Sequence, residues 1–205
     1  MTVRQAEPTP RAPRAHPAGL RPAVFLDRDG TLTQPRHYPS HPDQLVLQPG
    51  ICTPLRALQE RGFALVVVTN QSGLARGLFD LAALDTMHRR LRYLLHRQGV
   101  RLDGIYACPH HPRAVVRQYR RICPCRKPSP GMLHSAAHDL GLDVTRSWMI
   151  GDSACDIVAG RRAGTRTVLV GHGSTGNAQH PVTTARALRH VLHAVPDTPA
   201  TGPAR

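Results

Sequence analysis

Aromatic side chains are scarce in this 205-residue chain: three Phe, four Tyr and one Trp make up 4% of it. Its core must therefore rest on Leu, Val, Ile and Ala, and few rings are on hand to stack on nucleic-acid bases. Acidic residues are also few, 13 Asp plus Glu against 27 Lys plus Arg, for a formal net charge of +14. No run of 18 apolar residues occurs, so no membrane span is expected. No internal repeat is visible, which sets repeat architectures aside. Residues 1–22, rich in Pro, Arg and Ala, lack the apolar segment of a secretory signal. With so few apolar groups to offset ordering entropy, they are expected to form a flexible basic tail, and 194–205 a second one. Between them, 23–193 has room for one domain with a real core.

The positive charge is scattered through every segment instead of forming a block or stripe, which argues against nucleic acid as the main partner. An anionic small substrate is steered by such charge equally well. Three of the five cysteines cluster between 108 and 125, a pattern for metal ligation in a reducing, cytoplasmic setting more than for disulfides. Cys52 and Cys155 have no partners at ligand spacing and read as small buried residues. Histidines outside the cluster read as solvated surface.

Apolar runs at 23–26, 63–68, 104–107, 147–150 and 166–170 alternate with helical patterns at 51–61, 80–98, 130–140, 154–162 and 182–192. The longest helix has Asp80 as N-cap, with Leu81, Leu84, Met87, Leu91 and Leu95 at helical spacing. Ser129 is the expected cap of the 130–140 helix and Gly141 its stop. The alternation implies an α/β fold: a doubly wound, Rossmann-like parallel sheet with helices on both faces. The polar stretch 31–49 is long enough to be a functional loop. GxGxxG at 171–176 comes too late for a dinucleotide fold to follow it and reads as a turn. Ligands of such sheets sit at the carboxyl ends of the strands, which brings Asp27, Thr69 and Asp152 to one rim.

Asp27 and Asp29 end an apolar strand at i and i+2, a spacing that points both the same way. Like charges that close need a cation or a shared proton. With Mg2+ bound, one carboxylate can attack a phosphoryl group while the other handles a proton. Thr69, Asn70, Gln71, Ser72 and Gly73 place a hydroxyl and free N–H groups at a strand-to-helix junction. That suits phosphate oxygens, or an ordinary helix cap. Lys127 can neutralise the phosphoryl group and its attacker, and Arg126 can fork onto a second anionic group. Asp152 completes a Mg2+ site; Asp156, one turn on, supports a coordinated water or caps the helix. C-x-H at 108–110 and C-x-C at 123–125 offer three thiolates and an imidazole, a tetrahedral zinc set. A closed four-ligand site is structural, and here it would stiffen 108–125 and aim Arg126 and Lys127.

Together FLDRDGT, VVVTNQSGLARG, CPHHP, CPCRKPSPGM and GD, spread over about 23–192, resemble the haloacid dehalogenase (HAD) superfamily of phosphohydrolases. More narrowly, the chain is similar to the heptose bisphosphate and histidinol phosphate phosphatase branch. The resemblance implies a capless HAD fold with a zinc-binding loop. It also implies Asp27 as the nucleophile that forms an aspartyl-phosphate, and Asp29 as general acid and base. Thr69 and Lys127 would hold the phosphoryl oxygens. Mg2+ would be bound by Asp27, Asp152 and the backbone carbonyl of Asp29. A structural Zn2+ would sit on Cys108, His110, Cys123 and Cys125, leaving His111 outside. Pro35, Arg36, His37, Tyr38, Asn70, Gln71, Ser72 and Arg126 match substrate-contact positions. Ser153 stands where heptose enzymes often carry a substrate-binding lysine. The activity implied is Mg2+-dependent removal of the 7-phosphate of D-glycero-D-manno-heptose 1,7-bisphosphate. Histidinol phosphate is the alternative substrate, and a non-catalytic phosphate- or nucleic-acid-binding module the alternative from another class. The expected partner is a small phosphorylated sugar or polyol, with no membrane contact, and the expected state a monomer.

Overall fold

The computed structural model of the chain describes residues 3–4, 19–171 and 182–194. Its sheet contains β1 (Val3–Arg4), β2 (Ala23–Leu26), β3 (Ala64–Asn70), β4 (Gly104–Cys108), β5 (Trp148–Gly151) and β6 (Arg166–Leu169). The helices are α1 (Cys52–Glu60), α2 (Ser72–Ala75), α3 (Leu81–His96), α4 (Gly131–Leu140), α5 (Ala154–Ala163) and α6 (Thr184–Ala194). The strands β2 to β6 and the long helices fall where the sequence pattern puts them, their ends displaced by one or two residues. None of the helices is long and apolar enough to cross a membrane among the described residues.

Strand order is β1-β4-β3-β2-β5-β6, parallel from β4 to β6. The sheet is doubly wound because β3 and β4 are laid down on one side of β2, and the chain then crosses back to lay β5 and β6 on the other. Leu26 accordingly lies opposite Val67 on one flank and Ile150 on the other. A reversal of this kind leaves a crevice at the carboxyl ends of the two strands that flank it. Here those strands are β2 and β5.

Period-2 alternation splits the strand residues cleanly between two cores. Val24, Leu26, Leu65, Val67, Ile105 and Ile150 pack toward α1, α3 and α6, with Leu55, Leu58, Leu84, Leu91, Leu188 and Val191. Phe25, Val66, Val68, Tyr106 and Met149 pack toward α4 and α5, with Met132, Leu133, Ala136, Ala159 and Ala163. Burying whole Leu, Val and Phe side chains on both faces contributes about 1.5–3 kcal/mol each relative to exposure. That offsets the want of large aromatics.

The structure departs from the sequence reading at several points. Val3–Arg4, inside the expected tail, pairs antiparallel with Tyr106 and Ala107. The α4 helix is capped by Pro130, whose side chain makes no capping bond, so Ser129 is not the cap. Asp80 does cap α3, accepting from the Ala83 N–H at 2.8 Å. His88 is buried among the core residues of α3 and is not a surface histidine. Cys155 is exposed and Cys52 half-buried. The 31–49 stretch is folded back on itself: Thr33 bridges Leu47, Gln34 N–H donates to Val46 O, and Gln48 N–H donates to Leu32 O. The GxGxxG run lies outside the described residues after Gly171.

Candidate active site

Chain departure from the sheet at the β2–β5 crevice assembles the carboxylates. Asp27 directly follows β2, and its N–H donates to Ile150 O of β5 at 3.0 Å, completing the strand pairing at the point where the side chain must emerge. Asp152 follows β5, and Asp156 stands in the first turn of α5. One oxygen each of Asp27, Asp152 and Asp156 lie within 4.8 Å of one another. Two glycines make room for this group. A Cβ on Gly151 would meet the Asp156 side chain at 2.3 Å. One on Gly30 would meet Asp152 Oδ2 at 2.0 Å, at a backbone φ of +82° that already favours glycine. Three hard oxygen donors so placed suit Mg2+, which binds a few carboxylates and keeps several waters.

Lys127 brings a fixed cation to the group. Its buried ammonium donates to Asp27 Oδ1 at 2.5 Å and Val68 O at 2.7 Å, and pairs with Asp156 Oδ1 at 2.6 Å. Burial opposes that charge, but Asp27 and Asp156 outweigh it and hold Lys127 above the usual lysine range. Asp27 is pushed up to about 7, chiefly by burial; Lys127 opposes the shift, while Asp156 and Asp29 add to it. A carboxylate this reluctant to stay charged without added positive charge is one that a divalent cation would return to its nucleophilic form.

Asp29 does not share the Asp27 cluster, because the extended geometry stops at Leu26. Arg28 O accepts from the N–H groups of Leu32 and Thr33, closing a tight turn that rotates Asp29 out of register. Its carboxylate meets a different set of groups. Arg28, fully buried, donates from Nε to Asp29 Oδ1 at 2.9 Å and from Nη2 to Oδ2 at 2.7 Å. Gln71 Nε2 donates to Asp29 Oδ2 at 3.2 Å and to Thr69 Oγ1 at 2.8 Å, while Gln71 Oε1 accepts from Arg28 Nη2 at 2.9 Å. Thr69 is buried at the end of β3, beside this network.

The remaining candidates fall into three places. Asn70 faces the Lys127 backbone, and Gln71 faces inward to Arg28, Asp29 and Thr69. Ser72 is buried at the start of α2. Pro35, Arg36 and His37 are exposed on the 31–49 flap. Tyr38 follows at φ +47°, its ring edge-on to His37 and beneath the Arg76 guanidinium at 5.3 Å. Arg126 donates to His110 O at 3.2 Å, which ties it to the cysteine loop. Ser153 directs its N–H and Oγ–H to Asp156 Oδ2 at 3.0 and 2.7 Å. Sequence reasoning missed Arg28. The available signal was an arginine between two carboxylates with apolar neighbours on both sides, a setting where a charge must be paired.

Cys108, His110, Cys123 and Cys125 converge as the spacing implied. Sulfur–sulfur separations are 3.6 Å (Cys108–Cys123), 3.0 Å (Cys123–Cys125) and 3.3 Å (Cys125–Cys108). His110 Nδ1 lies 3.7 Å from Cys108 Sγ and 3.4 Å from Cys125 Sγ. All four donors lie within 4.8 Å of one another, a set able to hold a soft tetrahedral cation. His111 turns away, its Nδ1 accepting from the Arg113 N–H at 3.1 Å. Val115 and Val116 N–H both donate to Ala75 O, so the loop is docked on the end of α2 beside the carboxylate crevice.

Comparison with known proteins gives concordant results. A HAD-hydrolase-like family model matches residues 124–198. The D-glycero-beta-D-manno-heptose-1,7-bisphosphate 7-phosphatase of Salmonella typhi is 42% identical over 180 residues, spanning 87% of this chain and 94% of that protein. The Escherichia coli K12 protein of the same name is 43% identical over 181 residues, spanning 87% and 92%. Among solved structures, a HAD-like phosphatase from Mesorhizobium loti superposes with a TM-score of 0.78 at 37% identity, covering 94% of this chain and 91% of its own. The D,D-heptose 1,7-bisphosphate phosphatase of B. bronchiseptica, crystallised with magnesium and phosphate, gives 0.71 at 30% identity, covering 86% and 100%.

Proposed function

The chain belongs to the D-glycero-D-manno-heptose 1,7-bisphosphate 7-phosphatase family of HAD-type hydrolases, and from that membership we propose that it removes the 7-phosphate of the β-anomer of this sugar. The observation that carries the chemistry is Asp27 at the end of β2, its Oδ1 2.5 Å from Lys127 Nζ and its carboxylate grouped with Asp152 and Asp156. In this reading an Asp27 carboxylate oxygen attacks phosphorus as the bond to the sugar oxygen breaks. Asp29 gives its proton to the departing alkoxide. Asp29 then takes a proton from water, whose oxygen attacks the aspartyl-phosphate, releasing phosphate and restoring Asp27. Thr69 and Lys127 hold phosphoryl oxygens and offset their charge. Asp27, Asp152 and the Asp29 carbonyl, with Asp156 in reach, would hold Mg2+, which when bound would supply the positive charge that lets carboxylate and phosphate approach.

Arg126 takes the distal phosphate and the 35–38 flap the sugar edge; with Ser153 committed to Asp156, no lysine follows Asp152. The Cys108, His110, Cys123 and Cys125 group holds a structural Zn2+ that keeps Arg126 in place, a reading its soft donor set supports. The enzyme works as a cytoplasmic monomer, its domain at 23–193. The test is kcat/KM for D-glycero-β-D-manno-heptose 1,7-bisphosphate against histidinol phosphate, with Asp27→Asn as control. A clear preference for the bisphosphate and no phosphate release by the variant are expected. Preference for histidinol phosphate would overturn the substrate, and turnover by the variant near the wild-type rate would overturn the nucleophile.

A further inference from the structure

Arg28 is the largest side chain sealed from solvent in this protein's described residues, and it is charged. A guanidinium kept wholly out of water needs acceptors arranged for it, and those it has all lie in the reaction machinery. Its Nε and Nη2 fork onto both oxygens of Asp29 at 2.9 and 2.7 Å. The same Nη2 donates to Gln71 Oε1 at 2.9 Å. That bond settles which way the Gln71 amide faces, since the oxygen must point to the arginine and the nitrogen away from it. The Gln71 nitrogen then donates to Asp29 Oδ2 and Thr69 Oγ1.

Two consequences follow from counting donors. Because Thr69 Oγ1 accepts from Gln71, its own O–H proton is directed elsewhere and is available to a phosphoryl oxygen. Asp29 Oδ2 already accepts from two nitrogens, whereas Oδ1 accepts from Arg28 Nε at 2.9 Å and has Thr33 Oγ1 no nearer than 3.5 Å. Oδ1 is thus the oxygen with a lone pair to spare for the travelling proton.

We propose that Arg28 is a positioning residue for the phosphatase reaction: through the fork to Asp29 one buried guanidinium orients the acid–base group, with Asp29 Oδ1 as the proton-carrying atom, while Gln71 holds Asp29 and Thr69 directly. The inference rests on the phosphatase reading above. A carboxylate held by a planar fork has one orientation, and a lysine's single point donor cannot reproduce it.

The experiment follows formation of the alcohol product in single turnovers, enzyme in excess, so that only the first chemical step is read. The heptose bisphosphate loses a poor leaving group that needs the Asp29 proton; p-nitrophenyl phosphate loses one that does not. Arg28→Lys is expected to slow the first substrate about 10- to 100-fold, within the span general acid catalysis supplies, and the second no more than about threefold. In an Asp29→Asn background the same change is expected to add nothing on the sugar. Gln71→Leu, which leaves the Arg28 fork in place but removes the direct bonds of Gln71 to Asp29 and Thr69, is by contrast expected to slow both substrates. If Arg28→Lys does not fold, Arg28→Gln carries the same comparison of the two substrates. Equal losses on both substrates for the Arg28 variant, multiplicative losses with Asp29→Asn, or wild-type rates for the Arg28 variant would overturn the proposal. If the wild type turns over no heptose bisphosphate, the substrate reading fails instead, and the comparison of an alkyl with the nitrophenyl ester still decides the role of Arg28.

Discussion

Asn70 and Lys127, 57 positions apart, are locked together by a reciprocal pair of hydrogen bonds: the Asn70 Nδ2 donates to Lys127 O at 3.0 Å, and Asn70 Oδ1 accepts from Lys127 N–H at 3.1 Å. Asn70 ends β3, so its side chain inherits the rigidity of a buried parallel strand. Lys127 lies in the loop before α4, where no strand or helix holds it. The pair transfers the precision of the sheet to the cation of the site.

Asn70→Ala removes both bonds while leaving the core untouched. It is expected to cut kcat/KM about 100-fold, as small misplacements of a charged group do. The cost in stability is expected to be no more than about 1–3 kcal/mol. Steady-state rates and a thermal melt check this. A variant with normal rates would mean that Lys127 is positioned by Asp27, Asp156 and Val68 O without the Asn70 pair.

The buried Asp27 carboxylate is expected to oppose folding in Mg2+-free buffer. Asp27 stands at about 7 in the folded protein against 3.8 for an ordinary aspartate. Between those pH values the folded chain holds a proton that the unfolded chain has lost. Stability therefore falls as pH rises through that window, and stays reduced above it. Asn at position 27 does not titrate, so Asp27→Asn should melt above the wild type at pH 8, with the gap closing toward pH 4. Melting curves across that range test it; a gap that does not depend on pH would count against the assignment.

Removing metal from the cysteine group is expected to loosen 108–125, leaving the Val115 and Val116 bonds to Ala75 O to dock it on α2. Cys123→Ser, or chelation, should lower the melting temperature by several degrees and raise KM for the bisphosphate roughly 10-fold or more, with kcat less affected. Metal content by atomic absorption, read beside the kinetics, decides whether the loss follows the ion.

Ser153→Ala withdraws the Oγ–H that holds Asp156 at 2.7 Å but leaves the backbone N–H at 3.0 Å. A loss of about 1 kcal/mol is expected from a single hydrogen bond at a helix start. The rate should fall a few-fold, because Asp156 is one of the two carboxylates facing Lys127. Denaturant titration and kcat together separate the two effects.

How much of this was legible without coordinates depended on how local each feature was. The strand at 23–26 and the capped helix after Asp80 are set by near-neighbour patterning, and they appear where the pattern put them. The four-residue α2 has too few positions to show a period. His88 could have been found, since it shares a helical face with Leu84 and Leu91. Ser129 failed as a cap because the turn at Pro130 already starts α4. Gln71 matched a substrate-contact position, yet its amide is spent on Arg28, Asp29 and Thr69.

By itself the sequence determined the alternation of strands and helices, the acidic, basic and sulfur-bearing chemistry at their ends, and hence the family. Each of these follows from hydrophobic periodicity and from motif spacing along a short stretch of chain. Only the tertiary structure decided which groups share one environment: Asp27 with Asp152, Asp156 and Lys127, but Asp29 with Arg28 and Gln71. The reason is physical. Extended geometry ends at Leu26, so period 2 no longer governs where Asp29 points, and the crossing of β5 beside β2 brings in partners more than a hundred residues away. Charge, burial and hydrogen-bond saturation are properties of that meeting, and they separated two carboxylates that spacing alone had placed together.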